Sequence, residues 1–242
     1  MNIIYKNLVK TFNGNTAVDI DSLEIKEHTL LGLVGNNGAG KTTLFRLSLD
    51  LLKADDGKVE MSFEKDGKAT FSTDVRVDEE WKNYTGAYID ESFLIDFLTP
   101  EEYFEFVANV NNISKATLYE RLKEFEVFMN DEVLGKKKLI RSMSAGNKQK
   151  IGIISAMLNL PQLLILDEPF NFLDPTSQNT LKKILMNFNK QTGATILVSS
   201  HNLMHTVDIS NRIVVMEHGK IVKDLDNTEA KTREELETYF NR

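Results

Sequence analysis

Leu30-Leu31-Gly32-Leu33-Val34-Gly35-Asn36-Asn37-Gly38-Ala39-Gly40-Lys41-Thr42-Thr43 is the stretch on which the rest of the chain depends. Leu30 to Val34 is a short continuous apolar run, as expected of a strand buried on both faces. Gly35 to Thr42 fit the phosphate-loop pattern GxxxxGK[ST], and a helical stretch follows from Lys41 to about Leu52. Glycines let such a loop fold into a nest of inward N–H groups that meet phosphate oxygens. The helix behind it adds its positive N-terminal dipole. Lys41 supplies a mobile charge for the outer phosphates and Thr42 a hydroxyl for Mg²⁺. A glycine-rich turn that binds nothing would need neither the Lys-Thr pair nor the strand and helix in register.

Two further buried-strand runs work outward from this loop, Leu163-Leu164-Ile165-Leu166 and Thr195-Ile196-Leu197-Val198. The first ends in Asp167-Glu168. Open parallel sheets bind ligands at the carboxyl ends of their strands, which sets these carboxylates beside the loop. Asp167 is then placed to hold Mg²⁺, and Glu168 to accept a proton from an attacking water. Away from a phosphate loop, the same pair would read as solvated carboxylates at a strand end. Strands alternating with helices predict an α/β core with a mostly parallel sheet.

The remaining segments fill in around that core. Apolar runs flank Asn13-Gly14, the strongest short-range hairpin signal, with Val18, Ile20, Leu23 and Ile25 alternating imperfectly around Asp21-Ser22. Residues 53–89 read as strands and turns, with turn signals at Asp56-Gly57 and Asp66-Gly67. Thr99-Pro100-Glu101-Glu102 predicts a capped helix start, with Tyr103, Phe106, Val107 and Val110 as one face. A second helix starts at Ser114, with Leu118, Leu122, Phe125 and Met129 on one face, and a third runs from Ser144 to about Leu158. Asp174-Pro175 opens another, with Leu181, Ile184, Leu185 and Phe188 inward. Ile213–Met216 and Ile221-Val222 flank His218-Gly219 as a closing hairpin, and the tail from Thr232 reads as a helix capped by Thr232 and Glu235.

Composition narrows the function classes. The 242 residues carry 29 Lys and Arg against 36 Asp and Glu, for a net charge of −7, which disfavours a surface built to grip nucleic-acid backbones. Lys136-Lys137-Lys138 is the one basic run and reads as a solvated loop. There is no cysteine, hence no disulfide framework and no thiolate metal site. The apolar runs fall far short of the ~20 residues that span a bilayer. The first residues lack the basic, apolar and small-residue segments of a signal peptide.

Several motifs in order then match one family. Met143-Ser144-Ala145-Gly146-Asn147-Lys148-Gln149-Lys150, shortly before the acidic strand, resembles the signature of ATP-binding cassette (ABC) proteins, commonly LSGGQ and a basic stretch. PQLLILDEPFNFLDP, from Pro161 to Pro175, resembles the same family's acidic strand and D-loop. The chain from about residue 3 to 225 is thus similar to the nucleotide-binding subunit of ABC transporters. The resemblance implies a P-loop NTPase cassette with a mostly parallel α/β core sheet, an N-terminal antiparallel β subdomain and an inserted helical subdomain. Its expected parts are a core with β subdomain over 1–90 and 160–226, a helical subdomain over 91–159 and a C-terminal helix over 227–242.

Roles follow residue by residue. Gly35, Asn36, Asn37, Gly38, Ala39, Gly40, Lys41, Thr42 and Thr43 match the ATP phosphate loop. Phe12 matches the aromatic that stacks on adenine, although a place in the β-subdomain core fits it too. Ser144 and Gly146 match signature positions that contact the γ-phosphate of ATP held by the other subunit. Asp167 matches the Mg²⁺-associated aspartate, Glu168 the catalytic glutamate and His201 the switch histidine that senses the γ-phosphate. Asp174 matches the D-loop aspartate that works across the dimer, a role compatible with capping a helix. His28, His205 and His218 match nothing and read as surface or turn residues.

Two departures stand out. Asp90, in Thr85-Gly86-Ala87-Tyr88-Ile89-Asp90-Glu91, replaces the family's Q-loop glutamine, and as an acid it is an expected Mg²⁺ neighbour. Ala145 and Asn147 stand where glycine and glutamine are common, while Gly146 is kept. The implied activity is ATP hydrolysis with ATP and Mg²⁺, in a head-to-tail homodimer or a pair with a similar cassette. The implied setting is the cytoplasmic face of a membrane, held there by separate permease subunits. The spacing from Thr85 to Thr99 resembles exporter-type members. A soluble ABC ATPase acting on ribosomes or DNA is the alternative. It commonly carries two cassettes or a long coiled-coil insertion, and no nucleic-acid partner is expected here. A small-molecule kinase on the same core would leave the signature and His201 unexplained.

Overall fold

The computed structural model describes residues 1–65, 68–227 and 238. In chain order the first elements are β1 (Asn2–Phe12), β2 (Asn15–Ile25), β3 (Leu30–Val34), α1 (Lys41–Ser48), β4 (Asp56–Lys65), β5 (Lys68–Asp74) and β6 (Thr85–Tyr88). Four helices follow: α2 (Pro100–Val110), α3 (Lys115–Lys123), α4 (Glu126–Met129) and α5 (Ala145–Met157). The chain then returns through β7 (Leu163–Leu166), α6 (Pro175–Thr192), β8 (Thr195–Ser200), α7 (Leu203–Val207), β9 (Arg212–Glu217) and β10 (Lys220–Asp226).

Two sheets result. One is antiparallel, in the order β2-β1-β4-β5; the other runs β10-β9-β3-β8-β7-β6, parallel throughout except for the β9–β10 hairpin. Every residue of β3, β7 and β8 is buried. Alternation sorts their side chains onto two faces. Leu164, Leu166, Ile196 and Val198 join the core beneath the helices, while Leu163, Ile165, Leu197, Leu31 and Leu33 join the core shared with α1 and the antiparallel sheet. Apolar demand on both sides is why these strands lack polar alternation. All three end at one edge of the sheet, where the phosphate loop, Asp167 and His201 follow them.

Local signals set most boundaries. Asn13 (φ 48) and Gly14 (φ 82) turn the first hairpin, and His218 (φ 46) with Gly219 (φ 81) turn the last. Thr99 caps α2 in a reciprocal box, its own N–H bonded to Glu102 Oε2 at 2.8 Å and its hydroxyl accepting the Glu102 N–H at 3.3 Å. Ser114, Ser144 and Asp174 cap α3, α5 and α6. The inward faces expected for residues 114–129 and for α6 are buried, Ile184 partly.

Other expectations change. α1 stops at Ser48 rather than near Leu52, because Asp50 takes a left-handed backbone (φ 52). Asp56-Gly57 is no turn but the start of β4, beside a bulge where the β1–β4 register shifts between Lys6 and Val9 around Asn7 (φ 47). The helix from Ser114 breaks near Phe125 into α3 and α4. α2 buries Tyr103, Phe104 and Ala108 and leaves Phe106 and Val110 exposed. Tyr103-Phe104 and Phe106-Val107 are both apolar pairs, so two helical stripes were available and packing selected one. The turn signal at Asp66-Gly67 and the helix expected over 227–242, with Thr232 and Glu235, lie outside the described residues but for Asn227 and Thr238. Among the described residues, no helix is long and apolar enough to cross a membrane.

Candidate functional site

The phosphate loop leaves β3 and closes onto α1. Gly40 holds φ 108, and a Cβ there would sit 2.2 Å from the Ala17 carbonyl oxygen, so only glycine lets the loop pass this point. The loop, with Phe12, Ala17, Lys41, Thr42, Thr43 and Glu168, lines a cavity of about 370 Å³. Lys41 is buried, its ammonium donating to the carbonyls of Gly35 at 2.6 Å and Asn36 at 3.3 Å and lying 3.4 Å from Glu168. A phosphate entering the nest takes over donors that otherwise serve the loop itself. Phe12 stands at the mouth, 45% exposed, with Lys10 Nζ 5.3 Å from its ring centre; the core position open to it in sequence is not the one it takes.

At the end of β7, Asp167 is buried and fully engaged. Thr42 Oγ1 donates to its Oδ2 at 2.5 Å, and Ser199 Oγ donates to its Oδ1. Burial holds the Asp167 carboxyl above its ordinary range; these hydroxyls pull it back, the Glu168 charge pushes it up and Lys41 pulls it down. Thr42 and Asp167 present only oxygen. Among the described residues, no group of three or more His, Cys, Asp or Glu forms a metal site of its own. An ion here would take one or two protein oxygens and fill its shell from phosphate and water, which fits Mg²⁺.

Glu168 has a left-handed backbone (φ 46), a conformation that costs a non-glycine residue roughly 1 kcal/mol or more. Its amide donates to Ser199 Oγ at 2.8 Å. Its carboxylate meets His201 Nδ1 at 2.8 Å and accepts the His201 N–H at 3.2 Å. Gln149, buried on α5, donates to the Glu168 carbonyl at 3.2 Å. The strain therefore aims one carboxylate between Lys41 and His201.

Ser199 and Gln149 were not singled out from sequence. Ser199 carries a positional signal, being the first polar residue after the Thr195–Val198 run; Gln149 carries none beyond its place in the signature helix.

Asp90 faces a second cavity, of about 320 Å³, shared with Thr42, Asp167, Glu168 and Phe172. Expected as a metal neighbour, it has protein partners on both carboxylate oxygens. Oδ2 accepts from Arg46 on α1 at 3.0 Å, and Oδ1 takes the Ser92 N–H at 2.9 Å and the Ser92 hydroxyl. Burial alone would raise the Asp90 carboxyl, but the Ser92 bonds and the Arg46 guanidinium leave it below its ordinary range.

Ser144 and Gly146 do not line the phosphate-loop cavity. Ser144 caps α5 by accepting the Asn147 N–H at 3.2 Å. A Cβ on Gly146 would lie 2.7 Å from the carbonyl oxygen of Phe172, so close approach of the loop after Glu168 already requires glycine there. Asp174 acts as the N-cap of α6, taking the Thr176 and Ser177 N–H groups at 2.9 and 3.0 Å and the Ser177 hydroxyl at 2.6 Å. His205, expected at the surface, is half-buried and stacked on Phe170.

The chain was compared with known proteins. The family model described as ABC transporter matches residues 18–171. The uncharacterized ABC transporter ATP-binding protein YhaQ of Bacillus subtilis is 33% identical over 89% of this chain and 68% of its own length. The bacitracin transport ATP-binding protein BcrA of Enterococcus faecalis is 31% identical over 98% of this chain and 73% of its own. Among solved structures, the dimeric post-hydrolysis state of the ATP-binding cassette MJ0796 bound to ADP and Pi superposes with a TM-score of 0.79 at 21% identity, covering 94% of this chain and 99% of that one.

Proposed function

The chain belongs to the ABC transporter family as an ATP-binding subunit, and from that membership we propose how its own residues bind and hydrolyse ATP. The observation that carries the reading is Glu168, strained and held 2.8 Å from His201 and 3.4 Å from Lys41 at the end of β7. The triphosphate lies in the nest of Gly35 to Thr43, with Lys41 released from the loop carbonyls onto the outer phosphates. Phe12, at the cavity mouth, stacks on the adenine. Thr42 and Asp167 hold Mg²⁺, which when bound neutralises charge developing on the phosphate oxygens. Glu168 accepts a proton from the water that attacks the terminal phosphorus, and the bond to ADP breaks. His201 orients the Glu168 carboxylate.

Ser144 and Gly146 do not line this chain's own phosphate-loop cavity and are assigned to the ATP of a second cassette, with Asp174 at the junction. Closure of such a pair rests on contacts to the γ-phosphate that disappear on hydrolysis. Membrane permease subunits are the partners assigned to the helical face. This places the chain on the cytoplasmic side of the membrane, and the spacing from Thr85 to Thr99 supports export. Glu168→Gln tests the reading. Turnover of Mg-ATP, measured with the permease present, is expected to fall by at least ~100-fold, with a dimer on size exclusion that depends on ATP. Wild-type turnover no higher than the variant's, or a monomeric variant at saturating ATP, overturns it.

A further inference from the structure

His205 has no place in the chemistry above, yet its surroundings are specific. It lies on α7, four residues beyond His201. Its ring stacks on Phe170 with centroids 4.8 Å apart and planes 27° from parallel. Phe170 is buried and stands two residues beyond Glu168, with Pro169 between them. The His205 Nδ1 is buried and has no hydrogen-bond partner among the described residues. A polar atom without a partner disfavours burial. The contact that holds the imidazole here is therefore the ring stack, which favours offset aromatic pairs.

We propose that His205 is a positioning residue for hydrolysis: its stack on Phe170 braces the segment bearing His201 against the segment bearing Glu168. The two chain segments meet at several points. The His201 Nδ1 and N–H both meet the Glu168 carboxylate, Ser199 Oγ bridges Asp167 and the Glu168 N–H, and the two rings add a contact behind them. Those hydrogen bonds hold the paired strand ends; the ring stack ties α7, which follows His201, to the Pro169-Phe170 segment that follows Glu168. The neutral ring suits this place. Burial lowers the His205 pKa, Lys182 on α6 and His201 lower it further, and Asp208 and Glu168 oppose them. Lys182 is itself paired with Asp208 at 2.7 Å, which mutes both charges near the ring.

The inference rests on the proposed hydrolysis, and its test has one readout that does not. The chain holds 4 histidines, so side-chain imidazole NMR resolves His201 individually. His205→Ala is expected to erase the hydrogen-bonded Nδ1 signature of His201. With the permease present, it should lower kcat for Mg-ATP about tenfold while KM stays within about twofold. His205→Phe, which keeps a stacking ring without a buried nitrogen, restores both to near the wild-type values. Phe170→Leu, close in volume but without the ring, reproduces the loss should the alanine variant fold poorly. An intact His201 signature in His205→Ala, or a phenylalanine variant as impaired as the alanine one, overturns the brace. If the wild-type protein does not hydrolyse ATP, the functional reading fails and the His201 signal still decides the brace.

Discussion

β6 and β7 are neighbouring parallel strands, paired Tyr88 to Leu166, and each runs out into a carboxylate that faces the same cavity. Asp167 and Glu168 leave β7 into a mesh of the buried Ser199 and Lys41, the half-buried Thr42 and the exposed His201. Asp90, which leaves β6, pairs among the described residues with the exposed Arg46 and the local Ser92. Burial dominates at Asp167 and raises its pKa; at Asp90 the hydrogen bonds and Arg46 outweigh burial and lower it. Two acids at equivalent strand ends are thus prepared for different work. Burial disfavours the anion at Asp167, whereas the more exposed Asp90 is already paired with a cation.

Asp167→Asn makes the sharpest test of this contrast. It keeps the shape and removes the charge. On the proposed function, turnover is expected to fall by at least ~100-fold, because Mg²⁺ would lose its anionic ligand. Stability without nucleotide moves the other way. A carboxyl whose pKa is raised on folding stabilises the fold below its unfolded value and loses that contribution as pH rises through the folded value. At pH 8 the asparagine variant should therefore melt no lower than the wild type, by calorimetry, and up to ~2 °C higher. A clear loss of stability at pH 8 would mean that the anion is satisfied in the apo protein, and the contrast with Asp90 would collapse.

Ser199→Ala probes the mesh itself. The hydroxyl donates to Asp167 and accepts the Glu168 N–H at 2.8 Å, so its removal unpairs the part-buried amide of the strained Glu168. The expected loss is about 1–3 kcal/mol in urea unfolding, with turnover down roughly tenfold. Turnover loss without a stability loss would instead assign Ser199 a part in the chemistry alone.

The two strand ends also differ in how far sequence reveals them. The β7 end was legible because one continuous apolar run, its two acids and a phosphate loop obey a single rule about where parallel sheets bind ligands. Its supporting shell was not legible. Ser199 reaches Asp167 and Glu168 from β8, a strand over thirty residues away in sequence. At β6 the motif position of Asp90 was legible, but its partner Arg46 comes from α1, and only the fold brings the two together. α2 shows the same limit. Two apolar stripes satisfied its periodicity, and the choice of Phe104 and Ala108 over Phe106 and Val110 was made by neighbours that no local pattern encodes. His205 reads as a lone polar residue until the stack on Phe170 is seen.

The smallest expected effect belongs to Arg46→Ala. The pair it removes is exposed on both sides, and exposed ion pairs contribute about 0–1 kcal/mol. The sign of its pH dependence is fixed by Asp90. A carboxyl lowered on folding adds stability above its unfolded value and loses it as pH falls through the folded one. The difference between Arg46→Ala and wild type in urea unfolding should thus be present at pH 7, shrink below about pH 4 and fade in ~1 M salt, where exposed charges are screened. Turnover should stay within about threefold, since Arg46 lines neither cavity at the strand ends. A turnover loss beyond tenfold with unchanged stability would show that Arg46 restrains Asp90 for the reaction itself, and the β6 carboxylate would then join the β7 pair.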